Sequence, residues 1–191
     1  MIHRISQRIT DFLCDNGIIQ KEEADIYIYG YEAVLSGLVD FLLVLAAGIL
    51  FHCLDRALVF FAMFISVRMY TGGYHADTYL RCKLIMVMLL LAVLWIATMK
   101  LPLTAICLLM ILLILTVYFQ APVEHPNKPL DEAEKKKYHR YSLILSLLWG
   151  AAAIVLYFIR MDLAAAIAVT AFSITMLMVI EIFRKENNYE E

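Results

Sequence analysis

Leu101-Pro-Leu-Thr-Ala-Ile-Cys-Leu-Leu-Met-Ile-Leu-Leu-Ile-Leu-Thr-Val-Tyr-Phe119 runs for nineteen residues without a charge. As a helix it rises about 28 Å, close to the roughly 30 Å of hydrocarbon in a bilayer. Similar apolar runs occupy about 33–53, 57–67, 84–99, 142–159 and 163–183. The 191 residues are 63% hydrophobic and 18% charged, against about 45–50% and 25% in soluble domains. Because the excess is gathered into segments, lipid is the expected solvent. The expected fold is an all-α integral membrane protein, one membrane-embedded domain over 1–191, with about six transmembrane helices after an N-terminal amphipathic region at 1–32. The 57–67 run rises only about 16 Å, so on length alone it suits a span, a re-entrant piece or a surface helix.

Charge distinguishes these options. With six crossings, the segments 1–32, 68–83, 120–141 and 184–191 share a side and carry 13 of the 16 Lys and Arg residues. Arg56, Lys100 and Arg160 fall on the other side. Removing the 57–67 crossing weakens the best split to 11 against 5. The excess of cations marks the cytoplasmic side, so both termini are expected inside a plasma membrane. Ile2, Ile5, Ile9 and Phe12 recur at helical spacing among Arg4, Arg8 and Asp11, and Asp15-Asn16-Gly17 reads as a stop. This helix suits either the membrane surface or a cap on the bundle. No cleavable signal peptide is expected. The connection 120–141 holds Pro122, Pro126 and Pro129, which argue against helix there, before Lys135-Lys136-Lys137.

The polar break Arg68-Met-Tyr-Thr-Gly-Gly-Tyr-His75-Ala-Asp-Thr-Tyr-Leu-Arg-Cys82 carries the chemistry. A free thiol with pKa near 8.5 is only a few per cent thiolate at neutral pH. An imidazole or a helix N-terminus raises that fraction, and a helix starting near Thr78 would put Cys82 in its first turn. His75 would accept the thiol proton and return it to a leaving amine. In one continuous helix positions 75 and 82 stand about 10 Å apart along the axis, so the pair requires a break between them, at Gly72-Gly73 or Asp77-Thr78. Simpler roles stay open: Arg68 snorkelling to phosphates, Gly72-Gly73 as a plain turn or as oxyanion donors, and the lysines fixing topology or holding anionic lipid. His52-Cys53 reads as packing. Asp40, inside an apolar run, is a secondary candidate with no assigned role. The four cysteines show no disulfide pattern, and no residues show zinc-ligand spacing.

The pattern Arg68-x3-Gly72-Gly73-x-His75-x6-Cys82 resembles the signature of the accessory gene regulator B family. The likeness extends to the length, the six segments and the Ala121-Pro122-Val123-Glu124…Asn127-Lys128-Pro129 connection with its following lysines. It implies a membrane cysteine endopeptidase of Gram-positive bacteria that processes quorum-sensing propeptides. By position, Cys82 matches the family nucleophile, His75 its partner, and Arg68 and Gly73 supporting positions. Asp77 as an orienter of His75 is our own suggestion. The implied substrate is a propeptide with an amphipathic N-terminal part and an acidic C-terminal tail. The tail would leave as Cys82 forms an acyl-enzyme, which an internal Cys or Ser would close into a thiolactone or lactone. Lys135, Lys136 and Lys137 would meet the tail or lipid. No cofactor, metal or nucleic acid is expected, and monomer and homodimer stay open. The competing classes are a non-enzymatic peptide transporter or export subunit, and a scaffold using the lysine patch.

Overall fold

In a computed structural model, residues 2–74, 78–123 and 131–189 are described. His75 and Asp77 therefore lie outside the described residues, as do 124–130. The described chain is helical with no strand: α1 (Ile2–Asp15), α2 (Ala24–Leu50), α3 (Leu54–Thr71), α4 (Tyr79–Ile96), α5 (Leu103–Gln120), α6 (Glu132–Ile159) and α7 (Met161–Tyr189). Five of these, α2 and α4 to α7, are long and apolar enough to cross a membrane. The sixth long helix, α3, has 18 residues like α4 and α5, or about 27 Å. The apolar run 57–67 understates it because charged Asp55, Arg56 and Arg68 lie within its terminal turns.

Two other boundaries shift for the same reason. α2 starts at Ala24 rather than near 33, and α6 starts at Glu132 rather than near 142. A helix continues past the hydrocarbon wherever its caps allow, whereas hydropathy marks only the apolar part. Asp131 accepts from the Glu134 N–H at 2.6 Å, and the Glu134 carboxylate reaches the Asp131 N–H at 3.3 Å. This capping box satisfies orphan N–H groups reciprocally. Lys135–Lys137 consequently stand on helix, not in the loop expected from the prolines.

The chain divides into two compact units, one up to Leu43 and one from Val44. In the first, α1 ends where Gly17 takes a positive φ of 67°, with Gly17 N–H bonded to Cys14 and Ile18 N–H to Leu13. This is a Schellman stop. Ile5 and Phe12 remain exposed on α1. His3 on α1 contacts Glu32 on α2 at 2.5 Å, and Asp40 is half-buried on α2.

In the second unit α7 packs against α3, α4, α5 and α6. It is 72% buried along its apolar stretch, whereas the other spans reach at most 28%, so α7 is the central helix. Its sequence explains this: Ala164, Ala165, Ala166, Ala168 and Ala171 are fully buried, and small side chains let neighbouring backbones approach closely. The buried hydroxyls of Thr170, Ser173 and Thr175 donate to carbonyls one turn back at 2.7–2.9 Å. No lone polar group then faces the apolar core at these positions.

The turn between α2 and α3 repeats the Schellman pattern. His52 N–H bonds Ile49 at 3.2 Å and Cys53 N–H bonds Gly48 at 2.8 Å. The left-handed position is filled by His52, φ 51°, and Cys53 is 3% exposed in a core with Ala57 and Phe60. Both residues therefore serve packing and chain reversal. At this end of the unit Arg160 donates to Asp55 and Asp162. Hydrogen bonds to Asp162 and then Asp55 push the Arg160 pKa up.

Candidate active site

At the opposite end of the second unit, α3 finishes in its last turn with Arg68 and the buried Thr71. Gly72 then takes φ 67°, ψ −147°, a region that only glycine adopts readily. A Cβ built there would lie 2.2 Å from the Val123 carbonyl oxygen. The need is steric as well as conformational, because Val123, just beyond α5, pairs with this segment as an isolated parallel bridge. Its N–H donates to the Thr71 carbonyl at 2.8 Å.

Gly73, φ 117°, crosses α7 closely. Its Cβ position would be 3.4 Å from the Leu177 oxygen and 3.5 Å from the Met178 Cα. Tyr74 follows, its N–H donating to the Leu177 carbonyl at 3.0 Å and its own carbonyl accepting from the Arg68 guanidinium. The Arg184 guanidinium lies 5.7 Å from the Tyr74 ring centre. Arg68 thus holds the chain that leads into His75, a stronger role than snorkelling. The Gly72 N–H donates to the Arg68 carbonyl at 3.1 Å, and with the Tyr74 N–H also engaged, these amides hold the turn. Gly72 does not supply an oxyanion donor.

α4 begins at Tyr79, with Thr78 in extended conformation as its N-cap and the Thr78 hydroxyl accepting from Arg81 N–H. Cys82 is the fourth residue of α4, its N–H bonded to the Thr78 carbonyl at 3.1 Å. Its thiol is free and partly exposed. Lys83 beside it is buried, its ammonium 4.9 Å from the Tyr79 ring centre. α3 stops at Thr71, and Thr78 is extended just before α4 restarts at Tyr79, so Cys82 belongs to a helix that begins after position 77.

The lysine run is divided by its helical setting. Lys135 folds back on Glu132 at 3.2 Å. Lys136 and Lys137, with Arg140, Tyr141 and Ile144, line a groove of about 540 Å³. Tyr70 of α3 packs against Tyr138 and Tyr141, ring centres 5.6 and 5.3 Å apart, so the groove borders the end of α3 that carries Arg68. His139 Nδ1 lies 2.9 Å from the Ala121 carbonyl, tying α6 to the segment after α5. Among the described residues no group of His, Cys, Asp or Glu suits a metal ion.

One residue of this region was not singled out from the sequence. Glu181 on α7 is 3% exposed, and one carboxylate oxygen is buried without a hydrogen-bond partner among the described residues. An acid at the edge of an apolar run resembles a helix-end residue; only packing shows that it is inside.

Comparison with known proteins gives a consistent result. FsrB of Enterococcus faecalis is 28% identical over 119 residues, 61% of this chain and 49% of FsrB, so the match spans about half of that relative. An AgrB-like protein of Clostridium perfringens is 26% identical over 145 residues, 72% of this chain and 68% of the relative. No solved structure matches the chain. The family model described as accessory gene regulator B matches residues 6–183, and this multi-pass α-helical membrane protein belongs to that family.

Proposed function

We propose that the chain is a membrane cysteine endopeptidase and cyclase that matures a quorum-sensing propeptide. The observation that carries this reading is the placement of Cys82. It is a partly exposed thiol in the opening turn of α4, and Arg68 and two glycines hold the segment up to Tyr74, the residue before His75 in the motif. His75 takes the Cys82 proton, Cys82 attacks the carbonyl at the end of the future signal, and His75 returns the proton to the departing amine of the tail. An internal thiol or hydroxyl of the substrate then attacks the thioester, closing the ring and freeing Cys82. Ring closure outruns hydrolysis to the extent that water is kept from the thioester.

The groove of Lys136, Lys137 and Arg140 suits an acidic tail leaving this site. We place both termini and the site on the cytoplasmic side, with α3 as a sixth crossing. Its length matches α4 and α5, and its core residues Phe60, Met63 and Val67 are fully buried. The cations at the opposite end support this side assignment, since Arg160 is neutralised by Asp55 and Asp162.

The test is purified protein in lipid with a precursor peptide, read by mass spectrometry. Wild type should yield a tail fragment and an acyl adduct on Cys82. Cys82→Ala and His75→Ala should yield neither while remaining inserted. Cleavage surviving Cys82→Ala would refute the reading.

A further inference from the structure

We infer that, when no precursor is bound, the groove on α6 holds the headgroup of an anionic phospholipid whose acyl chain runs down the outer face of that helix. This site is built from α6 and does not depend on the peptidase reading above. Its depth in the bilayer follows from the helix itself. Tyr141 to Ile159 carries no charged residue and rises about 28 Å, close to the roughly 30 Å of bilayer hydrocarbon. Arg140 stands about 1.5 Å and Lys136 about 7.5 Å beyond Tyr141 along the axis, the depth of a headgroup layer about 5–7.5 Å thick. Tyrosine is enriched at this boundary. Tyr141 is exposed there and packs its ring against Tyr70 of α3.

The cations of the groove are available to a ligand. Among the described residues Lys136, Lys137 and Arg140 form no ion pair, whereas Lys135 pairs with Glu132. Glu134 closes the capping box on the Asp131 N–H. The neighbouring glutamates of α6 are thus engaged elsewhere, and three positive charges line a groove of about 540 Å³. An anion is the complementary ligand, and the planar guanidinium of Arg140 suits two phosphate oxygens at once.

Towards the hydrocarbon the lining turns apolar. Ile144 lines the groove, and exposed Leu148, Ala151 and Val155 continue from it at helical spacing down one face of α6. A soluble anion would satisfy only the cations. A phospholipid satisfies both halves, with phosphate oxygens on the ammonium and guanidinium groups and a fatty chain along the stripe. A headgroup with net negative charge is favoured over a zwitterionic one, because choline or ethanolamine would bring a fourth positive charge to the three already present. The acidic tail proposed above reaches the same cations only by displacing this lipid.

The test is native mass spectrometry of the full-length protein in detergent, titrated with phosphatidylglycerol or phosphatidylcholine. Wild type should prefer phosphatidylglycerol about tenfold or more, and equal retention of the two lipids overturns the inference. The triple variant Lys136→Gln, Lys137→Gln, Arg140→Gln should lose the preference, since each cation near the surface contributes about fivefold. Lys100→Gln, in the turn between α4 and α5, should keep it. Salt gives a readout that needs no variant: raising it from about 0.1 to 1 M shortens the screening length about threefold and should cut the wild-type preference. A preference unchanged in the triple variant, or indifferent to salt, overturns the inference. Displacement by millimolar glycerol phosphate, which carries the phosphate without acyl chains, would assign the groove to a soluble anion and overturn it too. So would an acidic peptide that binds the groove while phosphatidylglycerol does not, an outcome that leaves the tail reading standing.

Discussion

Gly72→Ala should disable the site while leaving the helix bundle assembled. A Cβ at position 72 would sit 2.2 Å from the Val123 oxygen, inside van der Waals contact, and that oxygen belongs to backbone that cannot rotate away. The alanine would also have to adopt φ 67°, ψ −147°, which costs a non-glycine residue about 1–3 kcal/mol. If the clash also pushes the segments apart, the Val123 to Thr71 hydrogen bond is lost, about 1 kcal/mol more. Together these set a penalty of about 2–4 kcal/mol, or roughly 30- to 1000-fold in the population of the closed geometry. The bundle core around α7 does not depend on this turn, so the loss should appear in turnover of precursor rather than in melting temperature. Gly37→Ala, where nothing lies within 4 Å, is the control and should retain activity. Precursor cleavage in proteoliposomes, scored by release of the tail, is the assay. Gly72→Ala turnover above about half of wild type would show that the Gly72–Val123 contact does not shape the site.

Three further outcomes follow from the packing. Gly48→Ala places a Cβ 3.0 Å from both the Leu54 Cα and the Ala57 Cβ, and should destabilise by about 1–3 kcal/mol, seen as a lower melting temperature in detergent. His52→Gly should move it the other way by about 1 kcal/mol, because glycine removes the left-handed strain at φ 51°; a lower melting temperature would contradict the Schellman assignment. Charge reversal at Lys136 and Arg140 should raise KM for an acidic-tailed precursor about tenfold with kcat held, and the difference should shrink in high salt. An equal fall in kcat would place the groove in the chemistry instead.

Much of this protein is legible in one dimension because lipid restricts what a chain can do. Backbone groups in hydrocarbon must be satisfied within the segment, so a nineteen-residue apolar run such as 101–119 has few outcomes besides a helix. The same holds for local signals: Asn16-Gly17 ends α1, and Thr78 opens α4 where the polar break resumes helix. The thiol and imidazole stood out by residue type, and their pairing was suggested by the family-like pattern around them rather than by their spacing. Hydropathy read the lengths less well, since charged end turns in α3 and the capping box of α6 extend helices that apolar content cuts short.

By itself, the sequence determined the helical class, the segments and the chemically capable residues, because these depend on local composition and backbone hydrogen bonding. Tertiary structure alone decided that α7 is the central helix, that Gly72 is required by the Val123 backbone, that Arg68 grips the Tyr74 carbonyl and that Glu181 is inside. Each of these joins residues about 6 to more than 100 positions apart or depends on which face of a helix meets its neighbours. Periodicity can mark a stripe on a helix, but only packing says what lies against it.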